Sequence, residues 1–306
     1  GILNLTMIIS IFLIFPVLFL ILRHFALPHW YSVIMALILG FLTPQFDRIL
    51  GHFEMSYAFL IPLFWYFLLR WKDSRRKTGW VVALLLLALV GGFTSAYFAA
   101  FFAIFALAYL VVELWNHRKR LAGYRREAIM LLLVAIIPLI IVRGLVSITD
   151  WVDDRPDNPW GFFIFHSNIF SIFLPFISPL KSLLGDTINM NFRWEGRAFV
   201  GSPATLLAMS ILIGLIYHIV LKKKYDIRLF FPNSRLNPFL AAATLILLFS
   251  MCFPFKYGFK FLLDLIPPLK QFRALGRFSW IFYYVFTVYA AYFFYVLFRR
   301  LRLKKI

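Results

Sequence analysis

The chain has 306 residues, of which 62% are hydrophobic, 20% aromatic and 15% charged, and its net charge is +19. A soluble domain carries roughly 45–50% apolar and about 25% charged residues, so this composition excludes an ordinary water-soluble globule and predicts a helical integral membrane protein. The positive charge then reads as basic loops at a membrane surface, and no nucleic acid is expected as a partner.

Apolar spans are predicted at 3–22, 30–46, 56–71, 79–93, 94–115, 128–148, 200–221, 238–254 and 278–298. That gives an all-α, polytopic fold of about nine spans, in one transmembrane domain over 1–306. Strict apolar-polar alternation, the mark of an outer-membrane barrel, is absent. Lys and Arg concentrate after alternate spans, in loops that include Arg23, Arg70–Lys77, Arg118–Arg126, Lys222–Arg235 and Arg299–Lys305. The bias of basic loops toward the cytoplasm places the N-terminus outside and the C-terminus inside. The chain starts with Gly and shows no signal peptide. It reads as one that has lost an upstream helix and its external loop, with a native outside N-terminus as the alternative.

The outer side then receives the segment Gln45–Glu54, the turn at Gly91–Ser95, a long loop over 149–199 and the segment 255–277. Within the long loop, residues 160–184 are apolar and aromatic but interrupted by Pro175 and Pro179, a pattern expected of interfacial or re-entrant helices. Cys252 stands alone, so no intrachain disulfide or paired-Cys metal site is possible. There is no Gly-rich phosphate loop and no nucleophile elbow.

Three groups of outer residues invite chemistry. Asp47, His52 and Glu54 lie in one short segment. The seven-residue spacing of the two carboxylates would put both on one face of a continuous helix, as a general base or metal ligand oriented by a neighbouring His, although two carboxylates and one His are too few to specify a metal. A solvated loop ending a membrane helix has the same composition. Asp150, Asp153, Asp154 and Asp157 could attract a divalent cation such as Mg or Mn, although their spacing fits no EF-hand and suits a solvated acidic loop equally. Arg193, Arg197, Lys256, Lys260, Lys270, Arg273 and Arg277 are basic residues on the disfavoured side. They read either as ligands for a lipid-linked phosphate or as partners of anionic headgroups, Asp264 and Glu195. Helical spacing would align Lys270, Arg273 and Arg277 on one face.

The runs Gly51-His52-Phe53-Glu54 and Leu60-Ile61-Pro62-Leu63, the Glu195-Gly196 pair before a span, and Pro267-Pro268-Leu269-Lys270-Gln271-Phe272-Arg273-Ala274-Leu275-Gly276-Arg277-Phe278 resemble bacterial GT-C-type membrane glycosyltransferases. The resemblance implies transfer of a sugar from a polyprenyl-phosphate donor to a glycan, lipid or protein acceptor at the outer face of the bacterial inner membrane. An acidic residue would deprotonate the acceptor, and basic residues, often with a divalent cation, would stabilise the leaving phosphate. Asp47, His52 and Glu54 would line the acceptor side, and Lys270, Arg273, Arg277, Arg193, Arg197 and Lys256 the lipid phosphate. Many members carry the principal acidic residue in the first external loop, which this chain lacks if it begins after that loop. A transporter or flippase of lipid-linked glycans and a non-catalytic envelope protein are the alternatives. A transporter calls for ionisable groups at mid-membrane, where Arg143 and His218 are the main candidates.

Overall fold

The structure, a computed structural model, describes residues 2–49, 51–151, 160–175, 194–220 and 230–303. Every element among them is helical. The long helices are α1 (Ile2–His24), α2 (His29–Phe41), α3 (Leu60–Asp73), α4 (Lys77–Thr94), α5 (Ala96–Asn116), α6 (Leu121–Thr149), α7 (Ser202–Ile219), α8 (Asn237–Ser250) and α9 (Ser279–Leu303). Six of them (α1, α4, α5, α6, α7 and α9) are long and apolar enough to cross a membrane, which makes this a membrane-integral protein. The shorter α2, α3 and α8 have 13, 14 and 14 residues.

Proline sets several boundaries. Pro28 immediately precedes α2, and Pro62, Pro203 and Pro238 sit in the first turns of α3, α7 and α8. There the missing N–H would have had no helical partner in any case. Pro44 also shortens α2: the helix stops at Phe41, five residues before the expected end of that span, and Pro44–Arg48 form a separate 3-10 turn. A second 3-10 turn, Phe53–Met55, follows.

Two helices form the interior. Residues Phe98–Ala103 of α5 and Trp280–Ala291 of α9 are buried without a break, the pattern of helices covered on all sides. By contrast α2 buries only Ser32, Ala36, Leu39 and Gly40, a single stripe at helical spacing. Hydroxyls on α9 tie it to the first third of the chain. Tyr283 donates to the Leu39 carbonyl at 2.8 Å. Tyr284 donates to Gln45 Oε1 at 2.7 Å and lies 2.6 Å from Thr43 Oγ1. In an apolar interior such pairing is favoured, because an orphaned hydroxyl costs roughly 1–3 kcal/mol.

The bundle has two chemically distinct ends. At one, Lys72 pairs with Glu113 (3.1 Å), Lys77 with Glu127 (3.0 Å), and Asp73 with both His24 (3.2 Å) and Arg235 (3.5 Å). These contacts gather the ends of α1, α3, α4, α5, α6 and α8, where most of the described basic residues lie. At the other end the segments 43–58, 160–175, 194–201 and 250–278 meet.

Candidate functional site

Glu195 is the centre of that second end. It is 8% exposed and lies in the 3-10 turn Trp194–Gly196, just ahead of α7. Arg277 grips it in a fork: Nε donates to Oε2 at 2.7 Å and Nη2 to Oε1 at 3.0 Å. Arg48 Nη1 lies 3.4 Å from Oε2, a charge contact rather than an aligned hydrogen bond, while Arg48 Nη2 donates to the Trp194 carbonyl at 2.7 Å. His52 Nε2 approaches Glu195 Oε1 to 3.2 Å, and Glu54 lies 3.8 Å from His52 Nδ1.

Aromatic rings enclose these charges. The Arg48 guanidinium lies 3.9 Å over the Trp194 ring and 5.5 Å from Trp280, and Arg277 lies 4.6 Å over Tyr97. His52 stacks on Trp194 with centroids 5.7 Å apart. A weakly hydrated guanidinium tolerates this better than an ammonium would, which explains Arg at both positions.

Backbone packing fixes the carboxylate. A Cβ on Gly276 would sit 2.5 Å from the Gly196 Cα and 2.9 Å from the Glu195 carbonyl oxygen. Only glycine permits this crossing of the two segments. Ser167 spans it, its hydroxyl within 3.2 Å of the Gly196 and 3.1 Å of the Gly276 carbonyl oxygens, and the Gly276 N–H donates to the Phe165 carbonyl at 2.8 Å. The Ala274 N–H donates to Tyr97 Oη at 2.9 Å.

Electrostatics separates two carboxylates. Burial acts to raise the Glu195 pKa, but the Arg277 bonds and the charges of Arg277, Arg48 and His52 outweigh it and hold it below the ordinary value. Glu195 is thus a matched ion and a poor proton acceptor. Half-buried Asp47 behaves oppositely. Desolvation lifts its pKa above the ordinary value against the pull of Arg48 and Arg197, making it the more basic carboxylate. Burial likewise lowers the Arg48 pKa, to about 10, so it remains a cation at neutral pH.

Asp47, His52 and Glu54 thus share this end, on two 3-10 turns rather than the continuous helix that their spacing predicts. His52 and Glu54 are part-exposed. The basic residues do not share one face. The 3-10 turn Pro267–Gln271 ends at Phe272, and extended backbone at Ala274 (φ −134°, ψ 78°) precedes a new turn at Leu275–Phe278. Arg277 therefore points into the protein while Arg273 is exposed, and Lys270 pairs with Asp264 at 2.6 Å. Lys256 Nζ lies 3.1 Å from His166 Nε2, and Lys260 sits 5.6 Å over the Phe163 ring. Arg197 is half-buried beside Asp47. Arg193, Asp153, Asp154 and Asp157 lie outside the described residues, and Asp150 caps the end of α6.

A divalent cation does not fit this cluster. Its most buried carboxylate is already matched by two guanidinium groups, and among the described residues no three His, Cys, Asp or Glu side chains are arranged to hold a metal ion.

Sequence reasoning assigned no site role to Arg48, Trp194 or Tyr97, and treated Glu195 as a partner for surface cations and as part of a motif of the resemblance. One usable signal was present: Glu195-Gly196 and Gly276-Arg277 are opposite charges each beside a glycine, in two segments assigned to the same side.

A family model described as a domain of unknown function (DUF6311) matches residues 2–305. No curated protein and no solved structure matches the chain.

Proposed function

We propose, from the premise that the chain belongs to the DUF6311 family over residues 2–305, that it is a GT-C-like membrane glycosyltransferase using a polyprenyl-phosphate sugar. The observation that carries this reading is Asp47: a half-buried carboxylate of raised pKa, beside two arginines, at the end of the bundle where the segments of the family-like motifs meet. Asp47 accepts the proton of an acceptor hydroxyl as its oxygen bonds the anomeric carbon. The bond from that carbon to the lipid phosphate breaks, and the departing phosphate takes up the negative charge. Exposed Arg273, with Arg197, Lys256 and Lys270, supplies the countercharge. Arg277 and Arg48 are positioning residues that hold Glu195, and His52 and Glu54 line the acceptor side. The active end faces away from the cytoplasm of a bacterial inner membrane, in keeping with the basic loops at the opposite end. About nine spans cross the membrane, with α2, α3 and α8 as short or tilted ones.

The test is transfer from labelled polyprenyl-phosphate sugars in membranes containing the protein. Asp47→Asn is expected to lower turnover by about 100-fold or more. Its folding stability is expected to be kept or raised, because an ionised Asp47 of raised pKa is a cost to the fold above its ordinary pKa, a cost that is relieved as pH falls. Unchanged turnover in Asp47→Asn removes that residue from the chemistry. Failure of the wild type to use any donor, with acceptors extracted from the same membranes, overturns the transferase.

A further inference from the structure

An elongated apolar groove of about 1050 Å³ runs between α5, α7, α8 and α9, away from the Glu195 cluster. It extends from Phe173 and Phe282, near the Glu195 end, to Asn116, Arg118 and Asn237 at the basic end. Its walls are side chains such as Leu212, Ala241 and Phe286. Leu212 is 58% exposed on α7, one of the six helices long and apolar enough to cross a membrane, and Ala241 is exposed on the shorter apolar α8.

Two features make the basic mouth more than an apolar seam. Asn237 Oδ1 is buried with no hydrogen-bond partner among the described residues, an acceptor open to a donor. Arg118, on the rim, continues into exposed Lys119 and Arg120, while the nearby acids Glu113 and Glu127 are already neutralised by Lys72 and Lys77. Among the described residues, the mouth therefore carries positive charge with no acidic counterpart, beside an unused acceptor. Basic pockets between membrane helices suit anionic phospholipid headgroups.

We infer that this groove binds an anionic phospholipid, with an acyl chain along α5, α7, α8 and α9 and its phosphate at Arg118, where a headgroup hydroxyl donates to Asn237 Oδ1. The site is separate from that of the proposed sugar transfer, and its occupancy does not depend on that activity.

The test reconstitutes the protein with equal phosphatidylglycerol and phosphatidylcholine, then measures retained lipid by native mass spectrometry. Wild type is expected to retain phosphatidylglycerol in preference. Arg118→Gln is expected to reduce that preference about fivefold, the effect of one basic residue at an anionic surface. Ala241→Trp, which fills the groove, is expected to abolish retention; Leu212→Trp tests the same wall if that variant does not fold. Leu86→Trp, on exposed α4 away from the groove, is expected to behave as wild type. Equal retention of both lipids, retention of neither by wild type, or undiminished retention in a folded groove-filling variant overturns the inference.

Discussion

Glu195 and its two arginines show what a buried ion costs and what it fixes. Removing one member of a buried pair leaves the other charge without compensation, a loss of about 3–5 kcal/mol. Glu195→Gln would strand Arg277 and Arg48, and is expected to lower the unfolding temperature far more than Asp47→Asn, measured side by side in detergent. The acid response follows from the direction of the Glu195 shift. Its folded pKa lies below the ordinary 4.5, so the ionised carboxylate stabilises the fold at higher pH and loses that effect as pH falls through the folded value. Thermal stability of the wild type is therefore expected to fall below about pH 4.5, and Glu195→Gln to show a shallower decline over that range. An unchanged acid profile in the variant would remove Glu195 from the titration. Local spacing could not reveal this group, because Arg48 and Trp194 are 146 residues apart, and Arg277 and Glu195 are 82 apart. The sequence did mark Asp47, His52 and Glu54 as neighbours, since they lie in one short segment.

At the scale of elements, small residues decide how closely segments approach. A Cβ at Gly276 would meet backbone atoms of Glu195 and Gly196, which cannot swing aside as a flexible side chain can. Gly276→Ala is expected to cost about 1–3 kcal/mol and to weaken the fork between Arg277 and Glu195. A comparable loss at Gly79, where an added Cβ meets nothing within 4 Å, would count against this account, so Gly79→Ala is the paired control in a thermal-shift measurement. The long apolar helices were legible because runs of the length of α1, α5 and α6 have few other uses. Where helices stop was less legible. The span expected over 30–46 ends at Phe41, because Pro44 diverts the chain into a 3-10 turn. The helix expected to align Lys270, Arg273 and Arg277 is broken at Phe272 and Ala274, so three basic residues at helical spacing acquire three different environments.

For the whole molecule, charge divides the bundle into a basic end tied by ion pairs and an end that gathers Glu195, Asp47, Arg48 and Arg277. With the basic end in the cytoplasm, a Cys252→Ser protein carrying Lys119→Cys is expected to resist membrane-impermeant maleimide in intact cells. The same background carrying Leu265→Cys, 70% exposed at the other end, is expected to react. The reverse labelling would invert the proposed orientation and with it the compartment of sugar transfer. Composition and alternating basic loops carried this two-ended organisation into the sequence reading. The groove between α5, α7, α8 and α9 had no such signature, because its walls are the same Leu, Ala and Phe that cover any lipid-facing helix.

The separation of Arg48, Glu195 and Arg277 along the chain also sets an order of assembly. A ribosome releases Arg48 first, Glu195 much later and Arg277 only with the start of α9, so each earlier ion must wait for its match while the spans between them enter the bilayer. Closing such distant contacts is a late event. The Glu195 cluster is thus completed only when the start of α9 has emerged, and a chain interrupted before Arg277 would leave Glu195 without its forked partner.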